Sequence, residues 1–526
     1  MSEPSASHRI VRAAAVVMPG LVLSTLVGLA RQILVARAFG TGADLDAFLA
    51  ANRLPELLFN LMAGGALASA FIPTYTGFLT RKDRAGAGRL AGALATWVSA
   101  LLLLTSALAA VLAGPLVDHL IAPYFQSAPQ RALTVDLLRI LLLSPTLFAL
   151  SGLVMAVLNA HQRFLISALA PMFYPLGMIL GVELLVPRMG IYGLAWGAVA
   201  GAALHLLVQL PSLARVRLAL KPRLGWREAA VREVGRLMAP RLVGQGAVQL
   251  NFLVNTIIAS GQPEGSLAAL TWGFSLMLMP EIAIAQASAI AALPTFSEQA
   301  SLGKVSELRE TLSTMLRGVM FLALPASIGL ILLRGPLVQV IFERGSFTDA
   351  STRMVTWALL FYAAGLLAHS TLEVLARAYY ALHDTLTPVA VSVGGMLLNV
   401  GLSLWLTRLF GARGLMPHGG LALANTLATF LEMGVLLGLL RGKATGPLSP
   451  TMWKHSARLL AACVPMSAAV WGVTTILSAS PAWLILALGV AAGVAVYWLA
   501  ALALGAPEAR SFPRLVLARL QPGIHR

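Results

Sequence analysis

The stretch VVMPGLVLS (residues 16–24) returns as RLMAPRLVG (236–244), with Pro19 and Pro240 separated by 221 positions. The same interval separates Pro73 in AFIPTYTGF (70–78) from Pro294 in AALPTFSEQ (291–299), and Gly40 from Gly261. LNAHQRFLISALAP (158–171) has its counterpart in YYALHDTLTPVAV (379–391), where His161 and His383 lie 222 apart. Four landmarks on nearly one interval indicate an internal duplication, and the fold follows from what is duplicated.

The duplicated material is apolar. The 526 residues are 58% hydrophobic and 11% charged, less than half the charged fraction of an average soluble chain, about 25%. Apolar segments of about 20 residues recur along the chain, each long enough to cross a hydrocarbon layer of about 30 Å as a helix. The alternating pattern of a membrane β-barrel is absent. We count about 14 spans, the first near 10–37 and the last near 482–504. The second, near 46–79, is too long for one straight crossing, and Pro55 with Gly64 and Gly65 predicts a bent or broken helix.

Each repeat covers six spans. An even number gives both copies the same orientation, as parallel repeats about an axis along the membrane normal. The expected fold is therefore an all-α polytopic membrane protein, with two parallel six-helix lobes around a central cavity and two C-terminal helices. The expected divisions are an N-terminal lobe (1–217), an amphipathic cytoplasmic linker (218–238), a C-terminal lobe (239–441), and two further spans with a basic tail (442–526). Most of the 38 lysines and arginines fall in loops on one side, which places both termini in the cytoplasm. The net charge of +17 fits orientation and anionic headgroups rather than nucleic acid. A single cysteine, Cys463, excludes a disulfide framework or a cysteine metal cluster. No nucleophile elbow, Walker loop or paired metal motif is present, so a transporter is expected and an enzyme is not. Its energy would come from an ion gradient or the membrane potential.

Charges inside spans are costly in hydrocarbon and must point at a cavity or a partner. Arg31, Asp46, Arg53 and Glu56 cluster in the first two spans. One reading pairs Arg31 with Asp46 and Arg53 with Glu56 as structural ties. The other makes Arg31 and Arg53 donors to an anionic ligand, since a guanidinium stays charged and its fork can hold two phosphate oxygens. Arg241, Glu281, Glu373 and Glu432 also lie within or at the ends of spans. Glu373 follows His369 by one helical turn, so the two share a face and form a candidate coupling or gating site.

GLARQILVARAFGTGADLDAFLAANRLPELL (28–58) followed by GGALASAFIP (64–73) resembles the start of the lipid II flippase family (MurJ/MviN), within the multidrug/oligosaccharidyl-lipid/polysaccharide exporter superfamily. VLNAHQRFLISALAP, GLAWGAVAGAALHLLVQLP, FERGSFTDAST and LARAYYALHDTLTPV resemble later landmarks of that family in order. The resemblance implies a 14-span flippase of the bacterial inner membrane, working by alternating access on a lipid-linked peptidoglycan precursor. It also implies membrane lipids and cell-wall synthesis proteins as neighbours, and no cofactor beyond a coupling ion of unknown identity. Arg31 matches the arginine that closes the family's opening motif, Asp46 its acidic T-D-A-F position, Arg53 a commonly basic position and Arg241 the P-R that opens the second lobe. Glu56 would pair with Arg53 and joins His369 and Glu373 as a possible coupling or gating residue. The lipid tail would lie in a hydrophobic groove formed with the last two spans. The departures are Thr25, Gln32, Phe59, Asn60, Gly64 and Ser275, where the family pattern carries charge. Those departures leave two other cargoes open: another polyprenyl-linked saccharide, or a small molecule exported against a cation.

Overall fold

In a computed structural model, residues 6–62, 66–217, 221–442 and 450–511 are described. They form α-helices with short π and 3₁₀ segments, and no strand occurs among them. The principal helices are α1 (Ala6–Phe39), α2 (Ala43–Met62), α3 (Ala66–Thr80), α4 (Arg84–Val111), α5 (Ala128–Leu141), α6 (Ser144–Ala160), α7 (Phe173–Leu180), α8 (Ile191–Leu207) and α9 (Ala229–Ser260). After them come α10 (Ser266–Glu281), α11 (Ala287–Ser301), α12 (Val305–Phe342), α13 (Asp349–Ala381), α14 (Leu386–Ala412), α15 (His418–Gly442), α16 (Pro450–Ile476) and α17 (Ala482–Ala503).

Among the described residues, 11 helices are long and apolar enough to cross a membrane. The expected count of about 14 includes α2, whose charges set it apart from those helices. Helix α2 holds Asp44, Asp46, Arg53 and Glu56, and α9 begins with Arg232, Glu233 and Arg236. The long second span is two helices, α2 and α3, and Pro55 sits inside α2 without ending it. Gly64 and Gly65 lie outside the described residues.

The membrane helices invert the pattern of a soluble amphipathic helix. On α4 the buried face is built from Gly86, Ala87, Gly88, Ala91 and Gly92, whereas Leu103, Leu104, Leu108 and Val111 are exposed. Leucine on the outside is stable only against lipid, and small residues inside let backbones approach closely. Helices α7 and α8 show the limit of that approach. A Cβ added to Gly177 would lie 2.2 Å from the Gly201 Cα, and one added to Gly197 would lie 2.8 Å from the Gly181 Cα.

The chain forms two compact units. One holds the residues up to Leu267 with Arg344–Phe347, and the other holds Ala268–Glu343 with Thr348 onward. Helix α9, expected to open the second lobe, packs in the first unit, where Val231, Val234 and Met238 join a core with Leu67, Phe71 and Leu90. The second unit has separate cores around Phe296, Leu312 and Tyr379 and around Phe321, Cys463 and Tyr497.

The duplication is visible in the backbone. Helices α3 and α11 end in the same left-handed turn. The N–H of Asp83 donates to the Phe78 carbonyl and that of Lys304 to Gln299, both at 2.9 Å. The intervening residues, Lys82 and Gly303, have φ of 57° and 66°. Helices α6 and α13 repeat the device: Arg163 donates to Leu158 (2.9 Å) and Asp384 to Tyr379 (3.0 Å), around Gln162 (φ 57°) and His383 (φ 58°). Such 6→1 bonds satisfy carbonyls that a helix end leaves unpaired. Every pair is spaced by 221, so the structural counterpart of His383 is Gln162, one residue beyond the histidine match in the sequence. His161 instead meets the Tyr75 hydroxyl through Nε2 at 3.0 Å. Burial, then Arg163 and Arg84, holds its pKa below the ordinary histidine value.

Gly303 has open space where a Cβ would go, so Gly303→Ala tests backbone conformation alone. It is expected to cost about 1 kcal/mol, seen as a lower Tm in detergent, whereas His383→Gly leaves the Tm unchanged or higher. The His161 ring is favoured neutral in the fold. Its contribution is present above the unfolded histidine pKa and is lost as pH falls through the lowered folded one. Melting curves of the wild type and His161→Gln are expected to converge as the pH is taken down from 7.

Candidate functional site

Arg31 lies on α1, half-buried, and its Nη1 donates to the Met178 sulfur of α7 at 3.5 Å. Tyr174 and Glu56 are within electrostatic reach. No carboxylate lies within ion-pair distance of Arg31 among the described residues, so the expected Arg31–Asp46 tie does not form. A thioether is a weak acceptor, which leaves this guanidinium with most of its hydrogen-bonding capacity unused by carboxylates.

Arg53, two turns into α2, is engaged on three sides. Its Nη1 pairs with Glu56 Oε2 at 3.1 Å, its Nε donates to the Thr256 hydroxyl of α9 at 2.9 Å, and its Cζ lies 5.7 Å from the centre of the Phe252 ring. The expected Arg53–Glu56 pair is therefore present. Thr256 and Phe252 were not legible beforehand, because contacts 203 residues apart leave no local pattern. Arg53 and Glu56 are three residues apart and can share one helix face; nothing comparable marks Thr256.

Asp46 is buried (3% exposed) and accepts from the Gly265 N–H at 2.7 Å, at the N-terminal end of α10. A carboxylate there meets both an orphan N–H and the positive end of the helix dipole. Gly265 takes φ +84°, and a Cβ on it would fall 2.1 Å from the Thr41 carbonyl oxygen, so only glycine permits this approach. Nearby, the Ser346 N–H donates to the Arg37 carbonyl at 2.8 Å, and the Tyr124 N–H to the Ser260 hydroxyl at 3.3 Å. Four segments remote in sequence thus meet at the end of α1. The side chain of Arg241, on α9, lies outside the described residues. Phe59, where the family pattern is basic, packs on Phe148 with ring centres 4.7 Å apart.

The second unit places its charges on α13. His369 Nε2 lies 3.2 Å from Asn425 Oδ1 and 3.4 Å from the Thr429 hydroxyl. Glu373, one turn on, pairs with Arg377 at 2.5 Å. The i,i+4 spacing of Glu373 and Arg377 was readable from the sequence, yet Arg377 counts there only as a cytoplasmic-side cation. A cavity of about 440 Å³ in the same unit is lined by Leu276, Pro280, Leu333, Met466, Gly489 and Tyr497, from α10, α12, α16 and α17. Its walls are almost wholly apolar, and the last two helices contribute to it.

This combination defines a polytopic helical membrane protein: a duplicated backbone pattern, a cation in the first helix with no carboxylate at ion-pair distance among the described residues, and an apolar cavity lined in part by the last two helices. The fold is that of the superfamily named above. An inward-facing MATE family transporter superposes with a TM-score of 0.65, at 16% identity over 81% of this chain and 96% of that one. A structure titled lipid II flippase MurJ, inward closed conformation, superposes with a TM-score of 0.76, at 22% identity over 92% of this chain and 97% of that one. The family model described as "Lipid II flippase MurJ" matches residues 35–491. The chain belongs to the lipid II flippase MurJ family. A Vibrio cholerae protein named "Probable lipid II flippase MurJ" is 32% identical over 490 residues, covering 90% of this chain and 91% of that protein. The "Lipid II flippase MurJ" of Burkholderia cenocepacia is 30% identical over 419 residues, 78% and 81% of the two chains.

Removing the Asp46 carboxylate leaves a buried N–H without its acceptor, at about 1–3 kcal/mol. Asp46→Ala is therefore expected to lower the Tm in detergent. An unchanged Tm would show that the Asp46–Gly265 contact does not hold this joint.

Proposed function

We propose that this chain translocates lipid II across the bacterial inner membrane, both termini facing the cytoplasm, as a transporter rather than a catalyst. Membership of the family sets the cargo class. The observation that carries the reading to this chain's own residues is Arg31: a guanidinium within a span that no carboxylate neutralises. Such a group is stable in a membrane protein when a ligand supplies the anion, and the diphosphate of a lipid-linked precursor matches its fork.

The two lobes rock about the anionic headgroup. In the first step the headgroup enters from the cytoplasmic side and Arg31 takes its diphosphate. Arg53 then exchanges Glu56 and Thr256 for phosphate oxygens, with Arg241 as the matching cation of the second lobe. Breaking the Asp46–Gly265 and Arg37–Ser346 contacts opens the outer side. The tail stays apolar throughout, in the cavity against α16 and α17, with the end spans (442–526) serving as its wall. His369 and Glu373 reset the empty carrier by binding a coupling ion. Membrane lipids and cell-wall synthesis proteins are the neighbours from which cargo arrives and to which it passes.

Arg31→Ala is expected to lower lipid II translocation roughly tenfold or more, the loss of a charge-assisted contact of about 1.5–3 kcal/mol, with Arg31→Lys retaining part of it. Full activity of folded Arg31→Ala would remove the diphosphate site from this helix. Mass spectrometry of lipid co-purified with the wild type is expected to return a polyprenyl diphosphate carrying the peptidoglycan disaccharide. A different saccharide there would reassign the cargo.

A further inference from the structure

Helix α10 ends on Glu281, and the chain continues as a π segment, Ile282–Gln286, before α11. Interruptions of this kind inside an apolar helix concentrate at functional positions, and this one lies within a membrane span, Ser266–Ser301. Glu281 is only 8% exposed. No hydrogen bond or ion pair reaches it among the described residues; the charged group that acts on it is Glu373.

The charge count around this position does not close. Helix α10 is packed against α13 through Phe274, which meets the rings of Tyr362 and His369 at 5.2 and 6.1 Å. From α13 come His369, Glu373 and Arg377. His369 is held by Asn425 and Thr429 of α15, and Arg377 is committed to Glu373. Other charges on the packed helices are engaged elsewhere. On α12, Arg317 faces Glu508 and Arg334 bonds the Ile331 carbonyl of its own helix. On α15, Glu432 is bonded by Ser392. Two carboxylates therefore share one guanidinium, and hydrocarbon does not tolerate the surplus charge. A hard metal cation would need about six oxygen ligands, and no group of three or more His, Cys, Asp or Glu side chains is placed to hold a metal among the described residues. A proton needs one oxygen.

We propose that Glu281 and Glu373 form a two-carboxylate site that binds one exchangeable proton, with Arg377 as its fixed counter-charge. This deepens the coupling role given above to Glu373 and rests on that reading. The proton moves between bulk water and a carboxylate oxygen, and the pair titrates as a unit. The π segment beside Glu281 supplies a deformable backbone through which protonation is felt along α10.

Infrared difference spectroscopy of the full-length protein in liposomes, titrated in both H₂O and D₂O, reads the site without reference to cargo. A carboxylic-acid C=O band is expected at neutral pH, shifting in D₂O and lost on alkalinisation. Glu281→Gln and Glu373→Gln should each abolish it, since either leaves one carboxylate for one arginine. Arg377→Gln should strengthen it, because both acids then need protons. Absence of the band in wild type overturns the proposal, as does its persistence in both glutamine variants or its displacement by NaCl at fixed pH. Should Glu281→Gln fail to fold, the wild-type, Glu373→Gln and Arg377→Gln spectra decide. Lipid II translocation measured on the same liposomes separates the two readings. A band without translocation removes the cargo and keeps the proton site, and translocation without a band does the reverse.

Discussion

A charge placed inside a membrane helix has no water to answer it, and this molecule is organised around that demand. Each intramembrane ion must find a partner side chain, a backbone dipole or something that comes and goes. Arg53 finds Glu56, Thr256 and the face of Phe252. Asp46 finds the N–H that opens α10. Arg31 finds no carboxylate, and Glu281 no cation, within pairing distance among the described residues.

The scaffold that holds them is repetitive in backbone but not in chemistry. The left-handed turns around Lys82 and Gly303, and around Gln162 and His383, show two units cut to one pattern. Only one of these four turn residues is glycine, although each occupies the region glycine favours. The turn is thus imposed by the packing of the helices it joins, through the 6→1 bonds. On that common frame, the first unit displays its uncommitted charge as a guanidinium and the second as a carboxylate. One duplicated fold thus carries opposite unpaired charges in its two units.

How legible this was in the sequence depends on the range of the interaction. Apolar runs and small-residue faces are periodic and local, so the helical membrane class and the duplication could be read directly, whereas an apolar span looks the same whether it lines a cavity or faces lipid. The Arg53–Glu56 pair, three residues apart, was legible for the same reason. The register error at His161 arose because a histidine match was followed, whereas the backbone repeats at Gln162. Thr256 and Gly265 carry no signal of their own. They are an ordinary hydroxyl and an ordinary glycine until the fold carries them to Arg53 and Asp46, 203 and 219 residues away in the chain. The crossing at α2 was the hardest to read, since Asp44, Asp46, Arg53 and Glu56 interrupt its apolar pattern.

The thinned set of family cations changes what surrounds Arg31. Phe59 stands where a basic residue is usual, and it completes an aromatic contact with Phe148, itself edge-on to Tyr174 and His205. Tyr174 is also within electrostatic reach of Arg31. A second cation at position 59 would face the same apolar rings and would need a counter-ion whenever cargo is absent. Its replacement by phenylalanine lowers the cost of the empty carrier while leaving Arg31 its desolvated surroundings, in which one guanidinium attracts an anion far more strongly than in water. Fewer charges in a drier setting can hold a diphosphate as well as several in a wet one, and they release the lobes more easily once it has gone.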